Sequence, residues 1–138
     1  MSILQTLKDR FRPVLGDLVG KDDTEKALDL IRPAQDARFG DYQANMAMPL
    51  KKQLGKPPRE IASEIISRLT LVDLCEPPEV AGPGFINLRI HDNMLAARLT
   101  SAAGDERLGV SPVSDARSYL VDYSAPNVAK PMHVGHIR

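Results

Sequence analysis

The sequence has no tryptophan, three phenylalanines, three tyrosines and one cysteine, Cys75, among its 138 residues. A single cysteine excludes an intrachain disulfide and a cysteine-based zinc site, and it is typical of a protein kept in a reducing compartment. No apolar run approaches the roughly 20 residues that a membrane-spanning helix needs, and the first residues lack the uninterrupted apolar stretch of a signal peptide. We therefore expect a cytoplasmic chain without a membrane segment.

The chain also has no formal net charge, because 18 Lys and Arg balance 18 Asp and Glu. The chain has no global positive field that would attract nucleic acid over a distance, so any RNA contact must be local. Hydrophobic residues make up 43% and charged residues 26%, which is usual for a folded globular protein and unlike a disordered one. The length indicates one compact domain with an appendage.

Apolar residues at helical spacing predict an amphipathic first helix with Ser2 as its N-cap, although Pro13 predicts a kink or break in it. Residues 27–32 have the composition of a short strand. Residues 39–42 look like a turn followed by a helix start at the acidic Asp41. The string GKPP at 55–58 predicts a helix stop, followed by a new helix with Pro58 in its first turn.

Residues 71–74 and 79–81 have strand character, and 85–90 alternate between an apolar and a mixed face, as a half-buried strand does. Asp92 would cap a helix that ends near Gly104. Residues 119–121 have the content of a buried strand. The order of elements predicts an α+β fold, a two-layer arrangement with helices on one face of an antiparallel sheet.

The segment HVGH at 133–136 follows a proline-containing loop and precedes a predicted helix start. The two histidines would project to one side, and the free backbone amides of the helix start favour anionic oxygen. Gly135 would let a base or ribose approach the backbone, and Lys130 adds a positive charge nearby. These features outline a polyphosphate site, although a string this short also arises by chance. Two histidines without a third ligand fall short of a zinc site.

The longer string DYSAPNVAKPMHVGHIR at 122–138 closely resembles the strand-loop-helix segment of arginyl-tRNA synthetases, class I enzymes that typically read (E/D)-(F/Y)-S-x-P-N-x-A-K-P-x-H-x-G-H-x-R. Upstream, FGDYQxN at 39–45 and GPGFIN at 82–87 resemble recurrent strings of that family's N-terminal additional domain. The resemblance therefore covers essentially the whole chain. It implies an additional domain over 1–104, a linker over 105–117, and the first strand and loop of a Rossmann-like catalytic domain over 118–138.

The resemblance also implies roles for individual residues. His133 and His136 would contact the phosphates of ATP and act in catalysis together with Lys130, and Gly135 would lie against the nucleoside. The arginine substrate would be held by three residues, Asp122, Ser124 and Asn127. ATP is expected with Mg²⁺ in the full enzyme, and no protein metal site is expected. Whether Lys130 replaces the lysine of a later loop is left open.

In the family, the additional domain touches the elbow of tRNA, chiefly the D-loop, at the strand that resembles 84–90. Phe85 could offer a stacking face, Asn87 an amide for base edges, and Arg89 a phosphate contact. The implied partners are tRNA(Arg), arginine and ATP, and a monomer is expected. The full protein would be an arginine–tRNA ligase, and this stretch alone would be inactive and contribute only tRNA binding.

Two alternatives come from other classes. The chain could be a stand-alone RNA-binding module without catalysis, which arginine-dependent pyrophosphate exchange by a longer polypeptide would distinguish. A small-molecule adenylyltransferase shares the H-x-G-H string, but there the string usually lies near the N-terminus, whereas here more than a hundred residues precede it.

Overall fold

In a computed structural model, residues 2–122 are described. Five α-helices and four β-strands follow one another in the order α1 Ile3–Val19, α2 Lys21–Leu28, β1 Ile31–Pro33, β2 Tyr42–Ala44, α3 Ala47–Leu54, α4 Pro58–Arg68, β3 Glu79–Ala81, β4 Phe85–Leu88 and α5 Asp92–Ala103. A short 3-10 turn, Ala37–Phe39, lies between β1 and β2. The mixture of helices with one sheet confirms the predicted α+β class.

The four strands form one antiparallel sheet in the order β1-β2-β4-β3. Side chains alternate between its two faces, and the inner face carries fully buried residues such as Ile31, Ala44, Ile86 and Leu88. The outer face carries polar or half-buried ones. This alternation in β4 confirms the predicted period-2 strand.

The helices bury their apolar stripes against the inner face in a single core. Contributors from α1, α2, α3 and α4 are Leu7, Phe11, Leu15, Ala27, Leu28, Ala47, Leu50, Ile61, Ala62 and Ile65. The Ser2 hydroxyl accepts a hydrogen bond from the Gln5 backbone N–H at 3.1 Å, so the predicted N-cap is confirmed. Gly55 ends α3 in the left-handed conformation and Pro58 begins α4, as the string at 55–58 predicted.

Several predictions of local structure were wrong. Of the kink or break predicted at Pro13, the break does not occur: the first helix continues through the proline, because Leu7, Phe11, Val14 and Leu15 on both sides of it are held in the core. Residues 27–28 end helix α2 and only 31–33 form a strand. The reason is that Thr24, Ala27 and Leu28 are buried at helical spacing.

No helix starts at Asp41. Its backbone N–H donates to the Leu88 carbonyl at 2.8 Å, and its carboxylate accepts from the Ile90 N–H at 2.8 Å. Residues 71–74 form a turn, with only Cys75 bridging to Ile90. Asp92 is the first residue of α5 rather than its cap, which is His91.

Residues 105–122 contain neither helix nor strand. The strand predicted over 119–121 is absent, and Tyr119, Leu120 and Val121 are exposed. A strand needs a hydrogen-bonded neighbour, and the chain between residues 2 and 118 places none beside it. The start of a Rossmann-like domain is therefore not seen in the described part of the chain.

Candidate nucleic-acid interface

A row of polar side chains crosses the outer face of the sheet, one from each strand. In the strand register, Arg32 of β1 lies opposite Gln43 of β2, Gln43 opposite Asn87 of β4, and Asn87 opposite Glu79 of β3. The Gln43 side-chain amide donates to the Asn87 Oδ1 at 2.8 Å, in a half-buried position. This bond fixes the Asn87 side chain in place and leaves its own N–H donors for another partner.

A small pocket of about 110 Å³ lies at one end of this row. Its walls are formed by Arg38, Phe39, Gly40, Glu76, Pro77, Glu79, Asn87 and Arg89. The Arg89 guanidinium stands at the rim, where its Nη2 donates to the Ala37 carbonyl at 3.2 Å and its Nε lies 3.8 Å from Glu76 Oε2. The structure thus brings two of the three predicted tRNA contacts, Asn87 and Arg89, into one concave site.

An arginine, Arg38, and an aromatic residue, Phe39, form another part of the pocket wall. The Arg38 guanidinium lies 5.8 Å from the centroid of the Phe39 ring and is held by Asp36 Oδ2 at 2.8 Å. This bond keeps the pKa of the Asp36 carboxyl below its usual range. Phe39 is 40% exposed, and exposed aromatic and guanidinium planes are surfaces on which nucleobases stack.

Phe85 does not lie in this pocket. It begins β4 at the opposite end, roughly 13 Å along the strand from Arg89 by the rise of about 3.3 Å per residue. Its half-buried ring packs beside Gly82, where an added Cβ would lie 3.6 Å from a ring carbon. Arg59 of α4 donates to the Gly82 carbonyl at 3.3 Å and brings a cation to that end. The outer face therefore carries an aromatic ring and a cation at each end, Phe39 with Arg38 at one end and Phe85 with Arg59 at the other.

Gly40 and Asp41 explain how the pocket is assembled. Gly40 has φ of 86°, and a Cβ on it would lie 2.5 Å from the Leu88 carbonyl oxygen. Only glycine lets the β1–β2 connection pass this close to β4. The Asp41 bonds to Leu88 and Ile90 then hold the connection there. The FGD string consequently brings Arg38 and Phe39 beside Asn87 and Arg89.

Sequence reasoning missed Arg38, Phe39 and Gln43 as site residues. The FGDYQ string was noted, but its position against β4 depends on strand register, which the sequence alone does not give. Basic residues also gather over 51–68, but two of them, Lys56 and Arg68, both pair with Glu64, at 2.7 Å and 2.5 Å. Their charge is therefore partly neutralised.

The predicted ATP and arginine sites fall almost wholly outside the described residues. His133, Gly135, His136, Lys130, Ser124 and Asn127 all lie beyond residue 122, and Asp122 is exposed. Between residues 2 and 122, no cluster of His, Cys, Asp and Glu could hold a metal ion. No helix in that stretch is both long and apolar enough to cross a membrane.

Two family models match the chain. Residues 4–90 match the arginyl tRNA synthetase N terminal domain, and residues 98–138 match the catalytic domain of tRNA synthetases class I (R). Together they place the chain in the class I aminoacyl-tRNA synthetases. More narrowly, it belongs to the arginyl-tRNA synthetase family, as its motifs predicted.

Curated relatives are about 50% identical to this chain over the residues that align. The arginine–tRNA ligase of Synechococcus sp. (strain ATCC 27144) is 51% identical over 136 residues, covering 98% of this chain and 23% of the relative. That of Rhodopirellula baltica is 50% identical over 138 residues, covering 100% and 20%. The chain thus spans about a quarter or less of the length of these relatives.

The fold is also found in a solved structure. The crystal structure of arginyl-tRNA synthetase from Plasmodium falciparum superposes with a TM-score of 0.65 at 24% identity, over 98% of this chain and 26% of that one. At this identity the likeness concerns the fold alone.

Proposed function

We propose that this chain is the N-terminal part of an arginine–tRNA ligase and that the outer face of its sheet binds the elbow of tRNA(Arg), chiefly the D-loop. One observation carries the RNA contact: a concave, solvent-facing pocket that joins a fixed amide, Asn87, to two guanidinium groups and an aromatic ring. Single-stranded RNA loops are read by this combination of base-edge hydrogen bonds, stacking and phosphate contacts.

Each residue of the proposed contact has a distinct task. Asn87, oriented by Gln43, donates to an acceptor on a base edge. Arg89 at the rim exchanges its long 3.8 Å contact with Glu76 for a phosphate oxygen. Phe39 at one end and Phe85 at the other provide stacking surfaces, which are worth about 1–3 kcal/mol per base.

The longer protein would activate arginine with ATP and transfer it to tRNA(Arg). His133 and His136 would stabilise the charge that develops when a carboxylate attacks the α-phosphorus, with Gly135 against the nucleoside and Lys130 assisting. Asp122, with Ser124 and Asn127, would bind arginine, because a carboxylate suits its guanidinium. ATP would arrive with Mg²⁺. We place the protein in the cytoplasm, as a monomer.

The RNA contact is tested by titrating the 138-residue chain with a labelled tRNA elbow fragment and measuring fluorescence anisotropy. Asn87→Ala and Arg89→Ala should each weaken binding about tenfold, since one lost contact of this kind is worth 1–3 kcal/mol. Phe85→Ala should weaken it similarly, after circular dichroism has verified that the half-buried site still folds.

Arg10→Ala is the matched control for the arginine. Arg10 is 41% exposed and pairs with Asp73 at 2.6 Å, much as Arg89 is 50% exposed and contacts Glu76. It lies on α1, away from the sheet's outer face. If the wild type and all three sheet variants bind the tRNA elbow fragment with equal affinity, the proposed interface is wrong.

Catalysis is tested separately, by arginine-dependent ATP–pyrophosphate exchange. A polypeptide that continues through a complete catalytic domain should show exchange, and the 138-residue chain alone should show none. A longer polypeptide without exchange would favour the stand-alone RNA-binding module instead.

A further inference from the structure

Helix α5 buries unusually little of its apolar surface. No residue of Asp92–Ala103 is fully buried. Met94 and Leu95 pack partly against the core, and Arg98 ties the helix to α1 by donating to Thr6 Oγ1 at 3.2 Å. Leu99, one turn after Leu95, is 72% exposed. A helix in a globular domain normally turns such a stripe toward a partner.

The turn after α5 presents a second exposed leucine, Leu108, in an unfavourable backbone conformation. The Asp105 carboxylate accepts hydrogen bonds from the N–H groups of Arg107 and Gly109, at 3.1 and 2.9 Å. Leu108 between them has φ of 51°, a left-handed conformation that is rare for a bulky residue. Its side chain is nevertheless 73% exposed. The turn therefore holds a strained leucine in place without burying it.

Together these residues line an apolar groove of about 630 Å³. Its apolar lining consists of Ile3, Leu95, Leu99, Ala102, Leu108 and Gly109. Beyond it, Val110 and Val113 are also exposed, at 63% and 70%. An exposed apolar groove on a folded protein usually marks an interaction site.

The boundary between the two family models indicates what covers the groove. The N-terminal model ends at residue 90, before α5, and the catalytic-domain model begins at residue 98, inside α5. Leu99, Ala102 and Leu108 therefore belong to the catalytic segment by sequence, although here they sit on the N-terminal domain. The relatives continue for more than three times the length matched here.

We propose that this groove is the docking surface for the class I catalytic domain of the same polypeptide, and that α5 is an element shared by both domains. The catalytic domain would place apolar side chains against Leu99 and Leu108. This contact would bury the groove that is exposed in the 138-residue chain. Arg98 and Ser101 complete a lining that is otherwise apolar, so the groove suits apolar side chains better than the phosphates of an RNA partner. The proposal depends on family membership and not on tRNA binding, so the two can fail independently.

The test compares hydrogen–deuterium exchange of α5 in two proteins: the 138-residue chain, and the same chain joined at Arg138 to the remaining sequence of the Synechococcus relative. Peptides covering 92–110 should exchange at least tenfold more slowly in the joined protein. Leu99→Glu in the joined protein should remove most of that protection, while leaving the melting temperature of the 138-residue chain unchanged.

Met48→Glu is the matched control, since Met48 is also a helical residue, on α3, and is 45% exposed. It should leave the protection of 92–110 intact. The intact Synechococcus enzyme compared with its own N-terminal fragment gives a second measurement that does not depend on the joined protein folding. Unchanged exchange of α5 in both comparisons would overturn the proposal. So would a concentration-dependent dimer of the 138-residue chain that Leu99→Glu abolishes, because a second copy would then be the occupant.

Discussion

Gly40 occupies the point where the β1–β2 connection passes closest to another strand. A Cβ there would lie 2.5 Å from the Leu88 carbonyl oxygen and 2.9 Å from its carbon, both backbone atoms that cannot move aside. The left-handed φ of 86° adds its own penalty for any L side chain. Gly40 is therefore required both by conformation and by space.

Gly40→Ala should consequently destabilise the protein more than an alanine at a glycine that needs only the conformation. Gly55 is such a site, with φ of 64° and no atom within 4 Å of an added Cβ. We expect Gly55→Ala to cost about 1 kcal/mol and Gly40→Ala about 1–2 kcal/mol more. Urea unfolding measures both, and equal losses would contradict the steric argument.

Cys75 is the buried residue whose ionisation should matter most for stability. Burial, with smaller effects from the charges of Asp41 and Asp73, raises the pKa of its thiol from 9.0 to about 11. A group whose pKa is raised on folding stabilises the folded protein fully below its unfolded pKa. This contribution is lost as the pH rises from about 9 toward 11.

The free energy of unfolding should therefore fall more steeply over pH 9–11 in the wild type than in Cys75→Ala. The difference should approach about 2–3 kcal/mol, at 1.36 kcal/mol per unit of pKa shift. Tyrosine and lysine titrations are common to both proteins and cancel in the comparison. Parallel profiles would show that the thiol does not titrate differently in the folded state.

At the scale of elements, α1 is the helix that departs furthest from its own sequence preference. Pro13 is exposed and interior to a 17-residue helix. It lacks the N–H that would bond to the carbonyl of Asp9. The helix persists because its other face packs Leu7, Phe11 and Leu15 into the core. Packing therefore outweighs the local penalty.

Pro13→Ala should raise the free energy of unfolding by about 1–2 kcal/mol. The helix regains a hydrogen bond worth part of the roughly 3 kcal/mol proline penalty, less about 0.4–1 kcal/mol from a more flexible unfolded chain. Asp17→Ala, another exposed position of α1, should change stability by no more than about 0.5 kcal/mol. A lower urea midpoint for Pro13→Ala would contradict this account.

The longer helices and the final hairpin were predictable from the sequence because each carries a full apolar repeat and a terminating signal. The short strands were not. Strands β1 and β2 have three residues each, too few for a period-2 pattern to separate them from a helix end. Asp41 looked like a helix start, yet its carboxylate bonds to a residue 49 positions away. Such long-range partners are invisible to local propensity.

Only some of the pocket residues could be predicted from the sequence, because the others come together through long-range contacts. Asn87 and Arg89 were predicted because residues 84–90 resemble the strand that contacts tRNA in the family. Gln43 and Phe39 enter only through register and through the glycine that lets β1–β2 approach β4. The ATP and arginine residues at 122–136 were predicted from a family string, and all but Asp122 lie outside the described residues, so those roles remain predictions.

At the scale of the whole molecule, the charge balance of 18 against 18 constrains how tRNA can bind. Among the described residues, four arginines lie at the proposed face: Arg32, Arg38, Arg59 and Arg89. Each phosphate neutralised contributes roughly 0.7–0.9 to the slope of log affinity against log salt.

We therefore expect a slope of magnitude about 3–4 for the tRNA elbow fragment, measured by anisotropy between 50 and 200 mM KCl. Arg89→Ala should reduce the slope by about 1, and Arg10→Ala should leave it unchanged. A slope above about 6 would mean that many more cations contact RNA than this face provides.

Gly84 joins the hairpin between β3 and β4 to helix α4. An added Cβ would lie 2.8 Å from the Pro58 carbonyl oxygen, so backbone rests directly on backbone at this point. Phe85 follows immediately, and Arg59, next to Pro58, reaches back to the carbonyl of Gly82. The aromatic ring and the cation are thus held in their relative positions before any ligand arrives. Binding of a nucleotide here would cost little free energy for ordering the protein. This preorganisation means that the site would bind without first closing around its ligand.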